Sequence, residues 1–95
     1  MAIIDLDWRV MPEGEWFLRK IVGNYKGIST IYVYTDNDAF GALGTATYTL
    51  TSVTDCQPVH VQENIKFRKI RLRFEGTTPI VRDVFLDLRA VKEID

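Results

Sequence analysis

The sequence predicts an all-β fold: a single antiparallel β-sandwich or small barrel, jelly-roll-like, of about six or seven strands, with one short helix near residues 15–22 as an option. Three observations carry this expectation. Apolar side chains fall on alternate positions in several short runs, the period of a half-buried strand. Clusters of Gly, Pro, Asn and Asp separate those runs roughly every eight to twelve residues. β-Branched and aromatic residues crowd them, most densely in Ile28-Ser-Thr-Ile-Tyr-Val-Tyr-Thr35.

The first run sets Ile4, Leu6, Trp8 and Val10 against Asp5, Asp7 and Arg9, giving one apolar and one charged face. Trp8 is expected to supply core volume on this parity. Met11-Pro-Glu-Gly14 closes the run with turn chemistry. In residues 15–22, Phe17, Leu18, Ile21 and Val22 recur at helical spacing, with Gly23 where a helix would stop. The stretch is under three turns long and lies between strand-like runs, so a second strand of a meander is favoured over the helix. Gly23-Asn-Tyr-Lys-Gly27 reads as the turn into the next strand, residues 28–35.

Asp36-Asn-Asp-Ala-Phe-Gly-Ala-Leu-Gly44 is the longest loop candidate. Thr45, Thr47, Thr49 and Thr51 then share one side of a strand, a row suited to a solvent-facing sheet, with Ala46, Tyr48 and Leu50 on the other. Asp55-Cys-Gln-Pro58 breaks this run, and a short strand follows at residues 59–61. Residues 65–91 show the clearest alternation: Ile70, Leu72 and Phe74 in one arm, Ile80, Val84, Leu86 and Leu88 in the other, with Glu75-Gly-Thr-Thr-Pro79 between them. Two such arms read as a β-hairpin pairing Phe74 with Ile80, Ile70 with Val84 and Arg71 with Asp83. Lys66, Arg68, Lys69, Arg71 and Arg73 then form a cross-paired surface partly answered by Asp83 and Asp87, with recognition of an acidic partner as the alternative, and Arg82, on core parity, marks a sheet edge, a pairing with an unidentified acid or a contact to another subunit.

Residues 1–95 are read as one domain, because a chain of this size buries roughly two thirds of its unfolded surface in one core. The composition, 46% hydrophobic and 12% aromatic, is that of a folded globule. Twelve basic against thirteen acidic residues argue against a dedicated nucleic-acid or anionic-membrane binder, which relies on a basic excess. No apolar run approaches the roughly 20 residues of a membrane helix, and the first residues lack the regions of a signal peptide.

Chemistry finds little foothold. The single Cys56 cannot form an internal disulfide and reads as a small buried thiol; His60 reads as a surface or interface imidazole roughly 13 Å from it along an extended strand. Asp36-Asn-Asp38 with Gly41 resembles the opening of a calcium loop, but Phe40 and Thr47 occupy positions that need oxygen ligands, so these are read as turn formers. No metal, cofactor or catalytic residue is assigned, and the chain is expected not to be an enzyme. Tyr32 and Tyr34 share one face and, with Arg68, Arg71, Arg73 and Arg82, are the candidate interface residues.

The runs Ile31-Tyr-Val-Tyr-Thr-Asp36, Lys66-Phe-Arg-Lys-Ile-Arg-Leu-Arg-Phe-Glu-Gly-Thr-Thr-Pro-Ile80 and Asp83-Val-Phe-Leu-Asp87 resemble the closing β units of small virion proteins of tailed bacteriophages, of the tail-hub, DNA-stabilisation or head-decoration type. The resemblance covers about half the chain and implies a non-enzymatic assembly component, partnered by copies of itself or other virion proteins. It implies a place in a virion assembled in bacterial cytoplasm. The alternative from the residues alone is a carbohydrate- or small-ligand-binding module using Trp8, Trp16, Tyr25, Tyr32, Tyr34 and Tyr48 as stacking surfaces, with the Asp36–Asp38 loop.

Overall fold

The computed structural model describes residues 1–11, 14–36, 46, 48–61 and 66–90. These form strands β1 (Ala2–Asp5), β2 (Arg9–Val10), β3 (Trp16–Lys26), β4 (Thr30–Thr35), β5 (Tyr48–Thr51), β6 (Val59–His60), β7 (Lys66–Phe67), β8 (Lys69–Gly76) and β9 (Ile80–Ala90), with no helix among the described residues. The chain is all-β, two antiparallel sheets packed as a small sandwich. In the first sheet β1 and β2 follow one another along one side of β8, β4 lies on the other side, and β5 lies beyond β4. In the second, β9 runs along one side of β3 while β6 and β7 share the other.

Alternation explains most of the packing. On β8, Ile70, Leu72 and Phe74 are buried, and their β4 neighbours Ile31 and Val33 are buried with them. They meet Leu18, Ile21 and Tyr25 of β3 and Phe67 of β7 in one core, closed on the β9 side by half-buried Val81, Val84, Leu86 and Leu88. On β5, Leu50 points inward while Thr49 and Thr51 are exposed, as the threonine row requires; Thr45 and Thr47 lie outside the described residues.

The 15–22 segment is strand, and its helical spacing has a specific origin. Leu18 faces Leu88 but Lys20 faces Asp87, so β3 carries one extra residue there, a β-bulge that lets Leu18 and Ile21 both point inward. A second bulge restores the register: Gly23 faces Val84 and Tyr25 faces Val81, placing the extra residue on β9 at Arg82–Asp83. A Cβ on Gly23 would run into the Asp83 carbonyl, so the close approach of the two strands depends on glycine. Residues 23–26 are therefore strand rather than turn, and the reversal sits at Gly27, whose φ of 68° suits glycine.

The hairpin expected over residues 65–91 does not form. β8 pairs with β1, β2 and β4, and β9 pairs with β3 in the opposite sheet, so none of Phe74–Ile80, Ile70–Val84 or Arg71–Asp83 are cross-strand partners. Alternation identifies a strand's buried face but not its neighbour. The apolar faces of β8 and β9 look at each other across the core, and residues 77–79 arch from one sheet to the other. Gly76 makes the arch compact, since a Cβ there would strike the Gly27 carbonyl. A further crossing occurs at Arg68, which separates β7 in one sheet from β8 in the other.

Candidate functional site

The first sheet's outer face carries the densest set of interacting polar and aromatic side chains described. It arises from register: Tyr32 lies opposite Arg73, Tyr34 opposite Arg71, and Asp5, from the other side of β8, opposite Arg73. Trp8 joins because β1 and β2 are out of step. Asp5 faces Arg73 but Arg9 faces Ile70, so the intervening segment holds an extra residue and the inward parity of Ile4 is lost by Val10. Trp8, expected in the core, is 40% exposed, and Val10 is 64% exposed.

The Arg71 guanidinium lies 4.3 Å from the Tyr34 ring centroid and 5.7 Å from that of Trp8, between two aromatic groups. Arg73 approaches the same Tyr34 ring at 5.6 Å. Both arginines converge on Asp5, Arg73 Nε donating to Oδ1 at 2.7 Å and Arg71 at 3.4 Å. The bond from Asp5 holds Arg73 more firmly protonated than usual. Tyr32 donates its hydroxyl to Glu75 Oε2 at 2.6 Å, and that bond first, with burial second, raises its pKa above the ordinary tyrosine value. Arg71 Nε is shut away from water without a hydrogen-bond partner. The acids expected to answer these arginines are elsewhere: Asp87 meets Lys20 at 3.9 Å, and Asp83 sits on β9.

Of the six candidate interface residues, Tyr32, Tyr34, Arg71 and Arg73 thus come together. Arg68 is at the sheet-crossing corner, where its N–H and that of Lys69 donate to Asp36 Oδ1 at 2.8 and 3.2 Å. Arg82 is exposed on the other sheet; the bulge turns it outward and so removes the problem its core parity posed. Sequence reasoning missed Asp5, for which charged parity was the available signal, and named Trp8 as a site residue only for stacking in the carbohydrate-binding alternative.

The remaining chemical candidates are scattered. Cys56 is exposed rather than buried, in a tight turn at φ 57°. Its thiol donates to Asn24 Oδ1 and the Tyr25 carbonyl at 3.6 Å. Tyr25 is fully buried, donates to the Gln57 carbonyl and has its pKa raised by burial, with a smaller push from Cys56. The rest of the calcium-like loop, Asn37 to Gly41, lies outside the described residues, among which no group of three or more His, Cys, Asp or Glu side chains could hold a metal. Among the described residues no helix is long and apolar enough to cross a membrane. Beside Trp8, a groove of about 500 Å³ opens between the sheets, lined by Leu6, Val10 and Leu72 on one side and Val84 and Leu86 of β9 on the other. Comparison of the chain with protein families, curated proteins and solved structures finds no match.

Proposed function

We propose that this protein is a non-enzymatic structural component that acts through contacts between subunits, as a head-decoration, head–tail or tail accessory protein of a tailed-phage virion. The observation that supports contact as its mode of action is the outer layer of Trp8, Arg71, Arg73 and Tyr32, in which the two arginines cover the buried Tyr34. Tryptophan, tyrosine and arginine are the side chains that dominate binding at protein interfaces, and ring contacts with Trp8 and Tyr34 hold the arginines, as the bond to Glu75 holds Tyr32, before any partner arrives. The virion assignment draws its support from the sequence resemblance in residues 31–36, 66–80 and 83–87. Size-exclusion chromatography with light scattering tests the first part: assembly, or capture of a virion protein, is expected, and a strict monomer that binds no assembly contradicts it. Density-gradient purification of particles tests the second, which requires the chain to band with them.

A second reading, a carbohydrate-binding module, is favoured by the exposed Trp8 beside the groove. Its aromatic surface is smaller than the sequence implied, because Tyr25 is sealed in the core and Trp16 and Tyr48 are half-buried against it. Tryptophan-fluorescence titration with glycans separates the readings. A saturable change lost in Trp8→Phe supports the module, and Trp16 provides the internal reference.

A further inference from the structure

We propose that β9 is the seat of a two-fold contact with a second copy of this chain, the two β9 strands pairing antiparallel about Leu86. The inference rests on the reading that the chain works through subunit contacts, and names the surface. β9 is an edge strand of eleven residues with β3 as its only strand partner among the described residues, whereas β1 and β5, at the edges of the first sheet, have four residues each. A long unpaired edge presents a row of backbone donors and acceptors to any strand that matches it.

The charges on β9 select a copy of itself as that strand. Antiparallel self-pairing must join inward to inward positions, which restricts the two-fold axis to residues rather than to the peptides between them. Centring on Phe85 sets Asp83 against Asp87 of the second copy, and centring on Asp87 sets that carboxylate against itself. Centring on Leu86 sets Asp83 against Arg89 at both ends with residues 82–90 paired, whereas centring on Leu88, which opposes Asp87 to Arg89, pairs only residues 86–90. Asp83 and Arg89 are exposed and make no side-chain hydrogen bond or ion pair among the described residues, so both are available.

The same register resolves two apolar features of the single chain. Phe85, 66% exposed on the outer face of the second sheet, becomes the diagonal neighbour of its own copy, within reach of aromatic rings. On the inner face, Val84 and Leu86 wall the groove of about 500 Å³, and the second β9 brings its own Leu86 and Leu88 alongside its mouth. The product is one continuous sheet across a closed, isologous dimer.

Charge reversal tests this, with sedimentation equilibrium as the readout and far-ultraviolet circular dichroism confirming that each variant stays folded. Asp83→Arg and Arg89→Asp should each raise the dimer dissociation constant about 30-fold, because each turns two attractive cross-strand pairs repulsive. Mixing the two single variants should restore a heterodimer, and the double variant should dimerise as the wild type does. Wild-type association untouched by the single variants, or no recovery on mixing, overturns pairing at β9 while leaving contact through another face standing. A wild-type monomer at millimolar concentration overturns the dimer outright, and a monomer that captures a virion protein instead separates this failure from that of the assembly reading.

Discussion

Replacing Arg71 with methionine isolates what the outer stack contributes. The guanidinium makes two ring contacts, to Tyr34 at 4.3 Å and Trp8 at 5.7 Å, together about 1–2 kcal/mol. Its pairing with Asp5 at 3.4 Å adds less than about 1 kcal/mol, since Asp5 is 45% exposed and already holds Arg73. Against these stands the buried Nε without a partner, which costs about 1–3 kcal/mol. Methionine removes gains and cost together, keeps the stem over the rings and adds sulfur–aromatic contact. Arg71→Met should therefore leave stability within about 1 kcal/mol of wild type, whereas Arg71→Ala, which also strips the packing, should lose about 1–3 kcal/mol. Urea unfolding followed by tryptophan fluorescence measures both. A loss above about 3 kcal/mol in Arg71→Met would refute the reasoning, because the charge itself would then hold the fold.

Three further outcomes follow from the packing and ionisation. Phe74 is fully buried between the sheets, so Phe74→Ala should cost about 3–5 kcal/mol in the same urea assay. Gly23→Ala should cost about 1–3 kcal/mol by forcing the β3–β9 bulge apart, and Gly14→Ala, with nothing near its Cβ position but a φ of 73°, should cost only its backbone strain. In an alkaline titration read by tyrosinate absorbance, Tyr25 and Tyr32 should ionise above the ordinary value of about 10. Both pKa values are raised in the folded state, so the stability they confer is complete below about pH 10 and drains away as pH rises through the raised values; Tyr32→Phe should remove one of these late steps.

Much of the architecture was legible because alternation reports which side of a strand is dry. Ile70, Leu72 and Phe74 were placed inward by parity alone, and Tyr32 and Tyr34 on one shared face, whose side the pattern left open; Tyr34 on it is only 5% exposed, covered by the arginines. Parity fails wherever a bulge adds a residue. That is why Trp8 and Val10 read as core and are exposed, why Leu18 and Ile21, with Phe17 and Val22 beside them, imitated a helix, and why Arg82 looked misplaced. Strand partners were the other gap. β8 and β9 are adjacent in sequence and share a clean pattern, but opposite sheets bury the same pattern face to face as well as side by side. The link from Asp5 to Arg71 and Arg73 spans more than sixty positions, and no local signal encodes it.

The outer stack requires β8 to lie between β1 and β4, and the β9 contact requires β9 to be an edge of the other sheet. Backbone NOE spectroscopy on the isotope-labelled protein examines both at once. Cross-strand contacts joining Tyr32 to Arg73, Asp5 to Arg73 and Val22 to Phe85 are predicted; contacts joining Ile70 to Val84 or Phe74 to Ile80 as hairpin partners would contradict the account.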